Sequence, residues 1–163
     1  MNKFNKKNNG FTLIEILVVI GIIAVLAAIV IVAINPAKQF AQARNTDRTA
    51  GVQAILNAIG QRIADNKGVF EGSFDGDTEH CDKLPASATA ITSNNGTSIL
   101  GNTSGDLGCL VPTYISTLPI DPSGAGALQY TVEITSNGRT QVCAPEAVNE
   151  DAVPDSAIIC IVR

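Results

Sequence analysis

Glu15 is the residue whose surroundings most demand a chemical explanation. It is followed by residues 16–34, a run in which no side chain is polar and only Gly21 is not hydrophobic. A carboxylate in hydrocarbon costs on the order of 2–4 kcal/mol at mid-membrane and less near the edge. It therefore needs either a route to water within one helical turn or a cationic partner at the same depth. Cys81, Cys109, Cys143 and Cys160 all lie beyond the apolar run and contain no CxxC spacing. An even number of cysteines in a small exported domain points to two disulfides. Of the three possible connectivities, Cys81–Cys109 with Cys143–Cys160 closes the shorter loops and is favoured. Glu79-His80-Cys81-Asp82 holds the single histidine. With Cys81 used in a disulfide, no metal site is expected there. Asp75, Asp77 and Glu79, and the acids of Glu146–Asp155, could offer oxygens to calcium, which takes about six to eight. A solvated acidic loop is the preferred reading of both. Asn95-Gly96-Thr97 and Asn102-Thr103-Ser104 match an N-glycosylation pattern, which chance supplies readily in loops of this composition. With one histidine and no paired nucleophile motif, no hydrolase triad is supported, so neither catalysis nor a cofactor is expected.

The elements that must position these residues follow from patterning. Residues 1–10 carry Lys3, Lys6 and Lys7 and no acid, whereas the rest holds 8 basic against 15 acidic residues. That acidity argues against nucleic acid as a partner, since phosphates need Lys and Arg. The apolar stretch is too long for an ordinary secretory h-region and lacks a small-x-small cleavage site in a polar setting. About 20 residues at ~1.5 Å each span a ~30 Å hydrocarbon core, so residues 11–34 can cross a membrane. The lysines before it would stay cytoplasmic and the cysteine-bearing remainder would lie outside. Asn35-Pro36 predicts a kink or local break. Beyond it, Val52, Ile55, Leu56, Ile59 and Ile63 fall on one helical face, and Asn66-Lys67-Gly68 reads as a helix end. One long helix is thus expected from about Phe11 to about Asn66, apolar in its first half and amphipathic in its second.

Residues 68–111 are rich in Gly, Ser, Thr, Asn and Asp and read as loop with short pieces of structure. Leu128–Thr135 alternates as a strand, Ser136-Asn137-Gly138 signals a hairpin, and Arg139–Ala144 and Ala157–Val162 supply two further strands. The expected fold class is α+β: a long N-terminal helix packed against a small antiparallel sheet. The expected parts are a leader over 1–10, a transmembrane helix over 11–34, its amphipathic continuation over 35–67 and a globular head over 68–163. With 4% aromatic residues and no Trp, the head's core must be small.

The string Lys6-Lys7-Asn8-Asn9-Gly10-Phe11-Thr12-Leu13-Ile14-Glu15, followed by the apolar run, resembles the processing site of type IV pilins and type II secretion pseudopilins. The resemblance covers roughly residues 1–65; the remainder agrees only in general layout, a small sheet with a disulfide near the C-terminus. Pro36 lies a turn or so later than the proline of many type IV pilins. The resemblance implies cleavage after Gly10 by a membrane prepilin peptidase, which also N-methylates Phe11. A small residue at Gly10 would let the chain enter that peptidase in extended form. The glutamate at the fifth position after the cut is a hallmark of that family. The residues give it a reason: the new amino group on Phe11 would be a cation at the depth of Glu15, which in a staggered stack of helices could meet that amine of a neighbouring subunit, while Thr12 lies early in the helix at little cost. The expected protein is then the subunit of a helical homopolymer, held as a single-pass cytoplasmic-membrane protein before assembly and as a cell-surface or periplasmic filament after it. Its partners would be the prepilin peptidase/methyltransferase, an inner-membrane assembly platform and minor pilins. A pseudopilin of a type II secretion or competence system is the alternative. A membrane-tethered binding domain or enzyme ranks below both.

Overall fold

The computed structural model describes residues 10–73, 80–93, 103–123, 128–154 and 156–163. Lys3, Lys6, Lys7, Asp75, Asp77, Glu79, Asp155 and the asparagines of both glycosylation patterns, Asn95 and Asn102, fall outside them. The chain divides into two compact units between Gln39 and Phe40. The architecture is α+β: an apolar N-terminal helix, a second helix and a small antiparallel sheet.

The single helix expected over 11–66 is two helices, α1 over Leu13–Ile34 and α2 over Pro36–Asp65. Asn35 separates them in the left-handed region, with φ 45° and ψ 80°. The reason is local. Pro36 has no N–H to continue the ladder and pushes the residue before it out of the right-handed helical region. Asparagine tolerates the left-handed well better than most residues. Asn35 then starts the next helix, accepting from Lys38 N–H on both its carbonyl (3.1 Å) and its Oδ1 (3.3 Å). Pro36 occupies the first helical position, where its missing N–H costs nothing.

α2 ends where the Asn66-Lys67-Gly68 signal places it. Gly68 N–H reaches back to Ile63 C=O at 2.8 Å, with Lys67 and Gly68 both at positive φ, 55° and 93°. Val52, Ile55, Leu56 and Ile59 are buried, and Ile63 is partly so. They pack with Leu107, Leu110, Tyr130, Val132 and Val142 into one core.

The main sheet runs β3 (Thr89–Ala90), β4 (Thr131–Ile134), β5 (Thr140–Ala144) and β6 (Ile159–Val162), in that order and antiparallel throughout. The hairpin at 136–138 forms, with Gly138 at φ 75° and Thr135 and Arg139 closing the turn. β4 begins three residues later than the alternation of Leu128–Thr135 implied, because Gln129 turns through positive φ (52°). β6 likewise starts at Ile159 rather than Ala157. β1 (Gly72–Ser73) and β2 (His80–Cys81) form a separate two-stranded sheet. Disulfides join Cys81 to Cys109 and Cys143 to Cys160.

Candidate processing and assembly site

The site is built around the first turn of α1. Thr12 is extended, φ −80° and ψ 151°, and serves as the N-cap. Its Oγ1 accepts from Glu15 N–H at 3.3 Å. In return, Glu15 Oε2 accepts from Thr12 N–H at 2.9 Å and from the Thr12 hydroxyl at 2.8 Å. This is a capping box, which satisfies two of the backbone donors that any helix start leaves over. The sequence reading gave Thr12 no role. The signal was present, since Thr-x-x-Glu ahead of an apolar run is the pattern of such a box. Glu15 thus has a partner within its own chain, and its carboxylate sits beside the first-turn N–H groups, where negative charge is favourable.

Phe11 is 84% exposed, and a Cβ added to Gly10 ahead of it would meet nothing within 4 Å among the described residues. No residue of α1 is buried. At 1.5 Å per residue its 22 residues extend about 33 Å. Among the described residues it is the one helix long and apolar enough to cross a membrane.

The head holds a second concentration of charge, on the apolar face of α2. Arg48 is 1% exposed. It forks onto Asp121, with Nε to Oδ2 at 2.8 Å and Nη2 to Oδ1 at 3.0 Å. Its Nη1 donates to Asn45 Oδ1 at 2.8 Å and to Glu150. Glu150 also receives both nitrogens of the Arg44 fork. Hydrogen bonds from Arg44, reinforced by Arg48, overcome burial and hold Glu150 down at about 2. Burial alone would raise Asp121; the Arg48 fork and the donors of Ser123 outweigh it and keep that carboxyl below its ordinary value. Arg48 is held protonated chiefly by its bonds to Asp121. The cluster fastens the loop through Asp121 and the loop closed by Cys143–Cys160 onto one helix.

His80 is buried in β2 beside the Cys81–Cys109 bridge, and Asp82 accepts from Ser104 Oγ at 2.6 Å. Among the described residues no group of three potential metal ligands converges.

Residues 5–31 match the family described as the prokaryotic N-terminal methylation motif. That motif is the prepilin signal of type IV pilins and pseudopilins, and this chain carries it. The signal implies processing by a prepilin peptidase and filament assembly, and it suggests a structural subunit. No curated protein and no solved structure matches the chain.

Proposed function

We propose that this chain is the structural subunit of a type IV pilus-like filament. It enters the cytoplasmic membrane as a prepilin, is cut between Gly10 and Phe11, and polymerises through α1. The observation that carries this reading is the prepilin signal running directly into a helix of membrane-spanning length that buries none of its own side chains. Such a surface is stable against lipid. Outside lipid it must be covered, and a stack of identical helices covers it with its own kind.

Glu15 then has two successive partners. In the waiting monomer, Thr12 satisfies it. In the filament, the Phe11 amine of an adjacent copy offers a full positive charge. Low dielectric strengthens that attraction while desolvation offsets much of it, so the pair sets register more than it adds stability. Phe11 lies just ahead of the N-cap Thr12 and four residues before Glu15, so its amine is also a candidate partner within the same chain before assembly.

Mass spectrometry of purified filaments or membranes tests the processing step. The mature chain is expected to begin at Phe11 with one added methyl group, and Gly10→Leu is expected to retain the leader. A mature N-terminus beyond Ile34 refutes the reading. Electron microscopy then separates its two forms: long surface fibres support a pilin, short periplasmic assemblies a secretion or competence pseudopilin.

A further inference from the structure

The two edges of the main sheet are finished differently. Just past β3, Thr92 N–H donates to Gly105 C=O and Leu107 N–H donates to Thr92 C=O, both at 3.0 Å. A Cβ on Gly105 would stand 2.1 Å from the Ala90 carbonyl oxygen. Segment 103–107 is therefore laid tightly against that edge. Along β6, no described backbone group does the same.

The register fixes what β6 leaves over. In an antiparallel ladder, residue pairs that exchange both hydrogen bonds alternate with pairs that exchange none. Thr140 and Arg163 exchange both, at 3.0 and 2.9 Å. Stepping through Gln141↔Val162, Val142↔Ile161 and Cys143↔Cys160, the next bonded pair is Val142–Ile161. The N–H and C=O of Val162 and Cys160 therefore point away from β5, out of the sheet. On the two faces of the sheet, Ile159 and Ile161 pack on the core, while Cys160 and Val162 are exposed.

An open edge of this kind templates another strand, and proteins guard against that with charge, proline, bulges or a covering loop. Residues 157–162 contain no charge and no proline. Beside them runs a groove lined by Gln53, Leu56, Asn57, Ile161 and Arg163. Arg163 donates to the neutral Asn57 Oδ1 at 2.6 Å and forms no ion pair among the described residues.

We propose that β6 is a strand-addition site, occupied by an extended, carboxylate-bearing segment of a second copy of this chain. The incoming backbone pairs with Cys160 and Val162, and its acid meets Arg163. The choice of occupant rests on the filament reading, which holds copies at high effective concentration. Charge favours the same choice, since the chain beyond residue 10 carries 15 acids against 8 bases.

Amide hydrogen exchange on the mature full chain tests this, comparing detergent-solubilised monomer with filaments. The Cys160 and Val162 amides are expected to slow by roughly a hundredfold or more on assembly, because exchange then requires a new ladder bond to open. Val162→Pro removes only an outward donor, so the monomer's Tm is expected to hold while filament yield falls. Arg163→Glu is expected to lower yield in the same way. Ile161→Pro removes the bond to Val142 and is expected to lower the monomer's Tm, which checks the register. Filaments in which both amides exchange as fast as in the monomer overturn the strand-addition site and leave the filament reading standing. So does a Val162→Pro chain that assembles normally. A drop in monomer Tm for Val162→Pro overturns the register on which the site depends. A wild-type chain that processes at Phe11 yet never assembles removes the filament reading and this occupant together.

Discussion

The chain contains two helices that treat charge in opposite ways. α1 has one acid, Glu15, placed in its first turn and held by Thr12, and no charged residue after it. α2 places Arg48 in the apolar face itself, one turn before Val52, and joins it to Asp121 and Glu150. A charge at a helix start can exchange its partner at little cost, because solvent or the first-turn donors remain at hand. A charge buried against two carboxylates cannot, because removing any member leaves another uncompensated. The first arrangement suits a contact that must change during assembly. The second suits a head that must not.

The largest test of the contrast is Glu15→Val. If α1's charge serves assembly, the variant inserts and is cleaved normally, its head melts at the unaltered temperature, and filament formation is lost. Mixing in wild-type subunits should recover part of the yield if the contact is between chains. Normal filament yield from Glu15→Val alone would reduce the carboxylate to a capping residue.

Arg48→Ala probes the other helix. It strands Asp121 and leaves Glu150 with Arg44 as its ion-pair partner, and is expected to cost about 3–5 kcal/mol of head stability, read as a lowered Tm of the processed chain in detergent. The cluster also predicts a pH dependence with a definite sign. Glu150 sits at about 2 in the fold, against about 4.3 when unfolded. Its contribution is full above the unfolded value and is lost as pH falls through the folded one. Unaltered heads should therefore tolerate mild acid. Arg48→Ala should move the acid midpoint upward, and an unmoved midpoint would show that the cluster does not govern acid stability.

The apolar stripe of α2 was legible in the sequence because 3.6-residue periodicity reports burial whatever the partner. Arg48 and Arg62 lie in phase with that stripe, four before Val52 and three after Ile59, and both are buried. Charge labels hide such residues, since a buried arginine is tolerated only through partners the helix pattern does not show, here Asp121 and Glu150 for Arg48 and the Gly72 carbonyl for Arg62. The hairpin was legible because Asn137-Gly138 is a local signal. β3, with two residues, was not, because its pairing with β4 depends on a contact some 40 residues away. The break at Asn35 was half legible: Pro36 announced it, but whether the helix bends or restarts depended on Asn35 entering the left-handed region. At the candidate assembly site, Glu15 stood out by cost and Thr12 did not, because a threonine near a helix start costs little and draws no notice.

A smaller effect is expected at the Cys143–Cys160 bridge, whose ends are separated by 17 residues. In the chain-entropy account, closing a loop of that size constrains the unfolded state by about 3 kcal/mol. Glu150 lies inside that loop, so the disulfide and the arginine cluster secure one segment by two routes. Replacing both cysteines with serine is expected to lower the Tm less than Arg48→Ala does. The reverse ranking, by thermal unfolding of both processed chains, would mean that the covalent tie dominates.

The finest test uses two glycines of α2. In an exposed helix interior, Gly→Ala stabilises by about 0.5–1 kcal/mol, because glycine has more backbone freedom to lose on folding. At Gly60 a Cβ would meet nothing within 4 Å, so Gly60→Ala is expected to raise the Tm slightly. At Gly51 the same Cβ would stand 2.7 Å from Tyr130 Oη, 3.1 Å from its Cζ and 3.3 Å from Pro119 Cβ. Tyr130 is 1% exposed and has nowhere to retreat. Gly51→Ala is therefore expected to cost about 1–3 kcal/mol, the usual penalty of overpacking. Tyr130→Phe removes the atom at 2.7 Å but leaves the ring carbon, so the double variant should recover part of the loss. Such a cycle reads the coupling between the two positions directly. Shifts of opposite sign, the larger at Gly51, would place the closer approach of the two at Gly51. Two stabilising substitutions would show that Tyr130 moves aside and that this part of the head is looser than its burial implies.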